Sequence, residues 1–133
     1  MNRWLKDFKD SWITTGITKE TVKWAEDFGK DLAQQIPNEK DTQLTTSQLR
    51  KFFGEVKRQQ AKGFDTADFF LLKPKLAYAV GKSRKNKAKI HDFYFVMSNA
   101  IEKVQKKEDF NRFIQIFEAI VAYHKGAEEG NLK

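Results

Sequence analysis

Catalysis needs particular groups brought together, and this sequence supplies few of them. Its imidazoles are His91 and His124, and no pair stands at metal-ligand spacing such as H-E-x-x-H. There is no cysteine, which excludes disulfides, thiolate zinc sites and a cysteine nucleophile together, and fits a reducing compartment. His91 beside a basic stretch has the residue type of a general base for RNA cleavage, but a helix-start residue near solvent accounts for it as well. His124 falls in what reads as the last turn before Gly126, where the helix dipole favours an imidazolium. Asp65 and Asp68 are placed as the cap and first turn of a helix, and Glu108 and Asp109 likewise. No glycine-rich loop follows a strand, so a phosphate-cradling nucleotide site has no support. These readings predict no catalytic residue, no metal and no cofactor.

Binding a polyanion makes a smaller demand, namely cations displayed along a surface. The net charge is +7, and between Lys73 and His91 stand Lys73, Lys75, Lys82, Arg84, Lys85, Lys87 and Lys89 with no acid among them. The remaining 18 of the 25 lysines and arginines equal the 18 aspartates and glutamates, so the excess formally sits in this one segment. A clustered positive field is the electrostatic footprint of a polyanion partner. Arg50, Lys57 and Arg58 lie off the apolar stripe of a preceding helix and extend the same expected surface. Tyr78, slightly off its own stripe and close to the basic connector, is a candidate for stacking on a base. Most other aromatics, Phe52, Phe69, Phe93, Phe113 and Phe117 among them, recur at core spacing.

The elements that must position these groups read as helices almost throughout, with no useful run of strict alternation. Trp4, Leu5, Phe8 and Trp12 form a short amphipathic stripe ended by Gly16, which packing on the bundle suits better than a membrane surface, since Asp7 and Asp10 interrupt it. A helix from about Lys19 to Gln35 is capped by Thr18, carries Ala25, Phe28, Leu32 and Ile36 on one face, and ends at Pro37. Asn38 to Gln43 is a loop. Thr45 and Gln48 are spaced as a capping box for a helix carrying Leu49, Phe52, Phe53 and Val56 and stopped by Gly63. Asp65 caps a helix with Phe69, Leu72, Leu76 and Val80 that ends at Gly81, and Pro74 inside it predicts a kink or a restart. After the connector, Ile90, Tyr94, Met97, Ile101 and Val104 mark one helix. Phe110, Phe113, Ile114, Phe117, Ile120 and Val121 mark another, with Gly126 as its expected stop.

A chain of 133 residues is the size of one domain. The expectation is therefore an all-α, single-domain helical bundle of five to six helices over residues 1–125, in which 1–16 is a short amphipathic N-terminal segment and 126–133 a flexible tail. Short loops favour antiparallel neighbours. No apolar run approaches the length of a membrane span, and the N-terminus lacks a signal peptide's apolar stretch, so the expected location is the cytoplasm, with no membrane partner.

Three segments stand out together: Leu44-Thr45-Thr46-Ser47-Gln48-Leu49-Arg50 running into Val56, Leu72-Lys73-Pro74-Lys75-Leu76-Ala77-Tyr78 with Gly81, and Phe117-Glu118-Ala119-Ile120-Val121-Ala122-Tyr123. Jointly they resemble the small subunit of the type III-A CRISPR-Cas (Csm) effector complex. Order and approximate separation match as well, and the likeness covers roughly Leu44 to Lys125. The resemblance implies a helical, catalytically inert protein that stacks in several copies beside the crRNA-bearing backbone and touches the guide–target RNA duplex through basic faces. Its implied partners are crRNA and target RNA, other Csm subunits and further copies of itself. Target cleavage and cyclic oligoadenylate synthesis would belong to other subunits. Matching basic positions are Arg50 and Lys75, with Lys82 where a basic residue follows the glycine. Pro74 departs from the uninterrupted helix the family implies, and the segment before Leu44 matches nothing specific, so any role for Trp4 to Ile36 is unassigned. The alternative from another class is a protein–protein adaptor whose lysines serve solubility.

Overall fold

The computed structural model describes residues 2–82 and 89–130. Its described residues form helices and connecting turns without a strand: α1 (Arg3–Asp7), α2 (Ser11–Thr14), α3 (Lys19–Leu32), α4 (Thr46–Lys62), α5 (Thr66–Phe70), α6 (Leu72–Gly81), α7 (Lys89–Glu102) and α8 (Lys107–Glu128). The all-α bundle holds, divided into more pieces than its apolar stripes suggest.

Local chemistry explains most boundaries. The Thr18 and Thr21 side chains cap the start of α3 reciprocally, as Thr45 and Gln48 do for α4, so each pair satisfies two backbone N–H groups that a helix start leaves open. Gly63 stops α4 at φ +105°, a conformation that side chains rarely tolerate. The Asp65 carboxylate accepts from the Asp68 amide at 2.9 Å and begins α5. The helix then restarts at Leu72, which puts Pro74 in the first turn of α6, where its missing N–H would have had no helical partner.

Three expected boundaries move. The N-terminal stripe is two short helices, because the backbone is extended at Phe8. Its rings nonetheless pack inward: Phe8 and Trp12 lie 5.2 and 5.6 Å from Trp24, Trp4 lies 5.2 Å from Phe28, and the Trp24 indole donates to the Trp4 carbonyl. α3 ends at Leu32 rather than Gln35, since the Leu32 carbonyl takes the amide of Leu44 from the returning loop and Thr42 Oγ1 takes the amide of Ile36. Gly126 lies inside α8 and does not stop it. A mid-helix glycine costs only about 1 kcal/mol, and Glu128 in the following residues accepts from both the amide and the hydroxyl of Thr46, which ties this last turn to the start of α4.

The most extensive helix pair is α3 with α8, which stand far apart in sequence, rather than two successive helices. α8 also meets α2 and α4, and buries Phe110, Phe113, Ile114, Ile116, Phe117 and Ile120 along its length. Gly29 lets α3 come this near: a Cβ there would stand 2.7 Å from the Ile120 carbonyl oxygen and 3.0 Å from the His124 backbone nitrogen. A second aromatic cluster joins Phe52, Phe93 and Phe117 between α4, α7 and α8.

The same substitution should act with opposite sign at two glycines. Gly29→Ala gains helix propensity but forces its methyl into the α8 backbone, and should lower stability by roughly 1–2 kcal/mol. Gly54→Ala, mid-α4 with nothing within 4 Å of its Cβ, should raise it by about 0.5–1 kcal/mol. Parallel thermal melts followed by circular dichroism check both signs.

Candidate nucleic-acid interface

α4 carries its apolar residues Leu49, Phe52 and Val56 inward, and its two flanks therefore face different neighbours. On the flank toward α5 and α6 sits Glu55, whose side chain is about four-fifths buried. It accepts from Arg58 Nη2 at 2.6 Å, from Lys75 Nζ at 3.0 Å and from Gln59 Nε2 at 3.2 Å. These bonds, that of Arg58 first, hold its carboxyl down at about 2 against its burial. Asp68 of α5 is lowered likewise, by Lys62 first and then by Arg58. The Arg58 guanidinium, clasped by Glu55 and Asp68, is held firmly charged.

The acid-free stretch from Lys73 to His91 is not acid-free in space. Lys73 pairs with Glu102 of α7, Lys75 with Glu55 of α4, and the mostly buried Lys89 with Asp31 of α3 at 2.9 Å. Lys57 pairs with Glu118 of α8 at 3.0 Å. Arg84, Lys85 and Lys87 lie outside the described residues. Among the predicted cations that are described, Arg50 and Lys82 have no acid partner within the described residues. Arg50, Lys57 and Arg58 do not share one surface either. Arg50 borders a shallow groove with Val121 and Lys125 of α8, and Lys57 reaches α8 too, whereas Arg58 faces α5.

Between α4 and α6 runs a groove of about 560 Å³. Leu44, Phe52, Leu76, Ile90 and Phe93 form its floor, each at least nine-tenths buried by its neighbours. Lys51 of α4 stands on one rim, and Tyr78 and Lys82 of α6 on the other, with the Lys82 ammonium 5.5 Å from the Tyr78 ring centroid. That separation is within cation–π range. Tyr78 is 70% exposed, the most exposed large hydrophobic side chain among the described residues. Lys51 was missed in the sequence, although its place next to Arg50 and off the apolar stripe was a usable signal; only the position of α6 shows that it faces a groove.

The two histidines differ in placement. His124 is 1% exposed and its Nε2–H donates to the Leu44 carbonyl at 2.6 Å, so it ties α8 to the entry of α4 from the interior and does not stand on the surface. His91 is half-buried in the first turn of α7. Among the described residues no group of histidines and carboxylates is arranged to hold a metal, and no helix is long and apolar enough to cross a membrane.

The family model described as Csm2 Type III-A matches residues 17–130, from the cap of α3 past the end of α8. No curated protein and no solved structure matches the chain. The matched range includes α4, α6 and the groove between them, and leaves out α1 and α2.

The depressed carboxyl of Glu55 makes stability depend on acid. Its contribution is complete above its ordinary value of about 4.5 and is lost as the pH falls toward about 2. Glu55→Gln should therefore melt several degrees below the wild type at pH 7, with the difference narrowing between pH 4.5 and 2. A series of melts across that window checks the slope.

Proposed function

The chain belongs to the Csm2 Type III-A family, the small subunit of the type III-A CRISPR complex, and from that premise we propose that it stacks in several copies along the effector backbone and touches the guide–target RNA duplex through cations on and beside α4 and α6. The contact falls first to Arg50, Lys51 and Lys82, with Tyr78 beside them. The observation that carries this reading is that these three cations lack an acid partner among the described residues, while the neighbouring acids Glu55 and Asp68 are already neutralised. Lys57, Arg58, Lys73 and Lys75 belong to the same proposal in a secondary rank. Exposed ion pairs are worth about 0–1 kcal/mol, so a phosphate can compete for such a cation, but each exchange gives up the internal bond. Arg84, Lys85 and Lys87, on the connector between α6 and α7, complete the proposed set on the strength of their charge.

No catalysis is assigned to this subunit, and no cofactor. The His124 ring is committed to the Leu44 carbonyl, and the carboxylates of the groove flank serve ion pairs. A stack of copies needs a heterologous contact, because an isologous one closes into a dimer and stops. Each copy then adds a few weak phosphate contacts, and multivalency turns them into tight retention along the RNA. The partners are crRNA with target RNA, the other Csm subunits and further copies of the chain, in the cytoplasm. The internal pairing of Lys57, Arg58, Lys73 and Lys75 is the observation that favours the competing reading, an adaptor that binds protein alone.

The two readings separate in a salt series. Anisotropy of a labelled guide–target RNA duplex should show weak binding that falls steeply with salt, and Arg50→Glu, Lys51→Glu and Lys82→Glu together should reduce the log–log slope by roughly 2, at under one unit per lost phosphate contact. An adaptor gives no salt-dependent binding to lose. In cells producing a guide RNA, the tagged chain should bring down other Csm subunits; their absence would end the assignment to the complex.

A further inference from the structure

The α4–α6 groove has a chemistry that duplex binding alone does not use. The side chains of its floor are each at least nine-tenths buried. Its exposed aromatic is Tyr78 at 70% exposure, with the Lys82 ammonium of its own helix 5.5 Å from the ring and Lys51 on the opposite rim of the groove. An isolated exposed tyrosine has no packing role in this bundle. An aromatic plane bracketed by cations is the arrangement that binds a nucleotide in a single strand, where the base stacks and the backbone on either side meets positive charge. In a duplex the bases are stacked on one another and cannot use such a plane. The acid on the rim does not oppose an anion, because Glu55 is neutralised by Arg58 and Lys75. The groove is also of the size that holds a small organic group.

We propose that this groove is a site for one unpaired nucleotide, whose base lies on the Tyr78 ring while Lys51 and Lys82 take the adjoining phosphates. The inference rests on the reading that this face meets RNA, and adds that the face prefers an unpaired base, at a bulge, a gap or an end, to continuous duplex. Base preference is slight, since every base offers a π-face.

The experiment compares three labelled RNAs: a single strand carrying 2-aminopurine, the same strand with an abasic position in its place, and a perfect duplex. Wild type should bind the first about tenfold more tightly than the second, with a change in 2-aminopurine fluorescence on binding. Tyr78→Ala should lose that advantage and the fluorescence change while keeping the wild-type circular dichroism spectrum, since the side chain it removes is exposed. Tyr78→Phe, which keeps the ring, should retain both signals. Salt-dependent RNA binding that Tyr78→Ala leaves unchanged for all three RNAs would overturn the nucleotide site and spare the RNA reading. Absence of any RNA binding overturns both. Displacement of bound RNA by an amphipathic Glu- and Leu-containing peptide, with affinity lost in Tyr78→Ala and no abasic penalty, would overturn the site in favour of a protein ligand.

Discussion

The closeness of α3 and α8 at Gly29 governs the rest of the bundle. With no side chain at that position, the backbone of α8 can approach until a Cβ would touch the Ile120 carbonyl, and the long apolar arc of α8 is then sealed along one side by α3. Once α8 is fixed, it holds others by polar ties at its two ends. Near its start, Asp109 accepts from Arg112, which also donates to the carbonyls of Ile13 and Thr14 and so fastens the end of α2. Near its finish, His124 donates to the carbonyl of Leu44 and Glu128 accepts from Thr46. Both of these residues lie at the entry of α4. The helix that carries Arg50 and Lys51 is thus aimed by a contact made elsewhere in the core.

Electrostatics then divides the cations into two populations. One is absorbed by the fold: Arg58, Lys62 and Lys75 converge on Glu55 and Asp68, Lys73 on Glu102, Lys89 on Asp31. Glu55 is the most constrained member, since its burial demands that its charge be matched and three donors match it. The other population, left without acids among the described residues, includes Arg50, Lys51 and Lys82, which face solvent. The number of lysines and arginines is an upper bound on the contacts a polyanion can use, and the lower figure depends on which bases the protein has already engaged.

Much of the local architecture was legible in the residues. The Thr45–Gln48 capping box, the Asp65 cap, the Gly63 stop and the restart around Pro74 all stand where their chemistry puts them, because caps and breaks act over three or four residues. The buried faces of α4 and α8 follow their periodicity for the same reason, whereas α7 ends at Glu102, short of Val104, and buries Phe93 and Val96 while Tyr94 stays half-buried. Gly126 misled, because a glycine inside a helix is only mildly unfavourable and a distant hydroxyl and amide, both of Thr46, outweighed it. The resemblance over Leu44 to Lys125 and the family match over 17–130 agree on the chain's affiliation.

By itself, then, the sequence determined the helical class, most helix starts, the identity of the core aromatics and the location of the surplus charge along the chain, all of which depend on neighbours within one or two turns. Only the tertiary structure decided which acid faces which base, that Arg50 and Arg58 lie on opposite flanks of one helix, and that Lys51, Tyr78 and Lys82 border a common groove. The relations between helices, such as Lys75 with Glu55 or Lys51 with Tyr78, join residues twenty or more positions apart, and the physical reason is that ion pairing and grooves follow the placement of whole helices, which packing on α8 sets and no local pattern encodes.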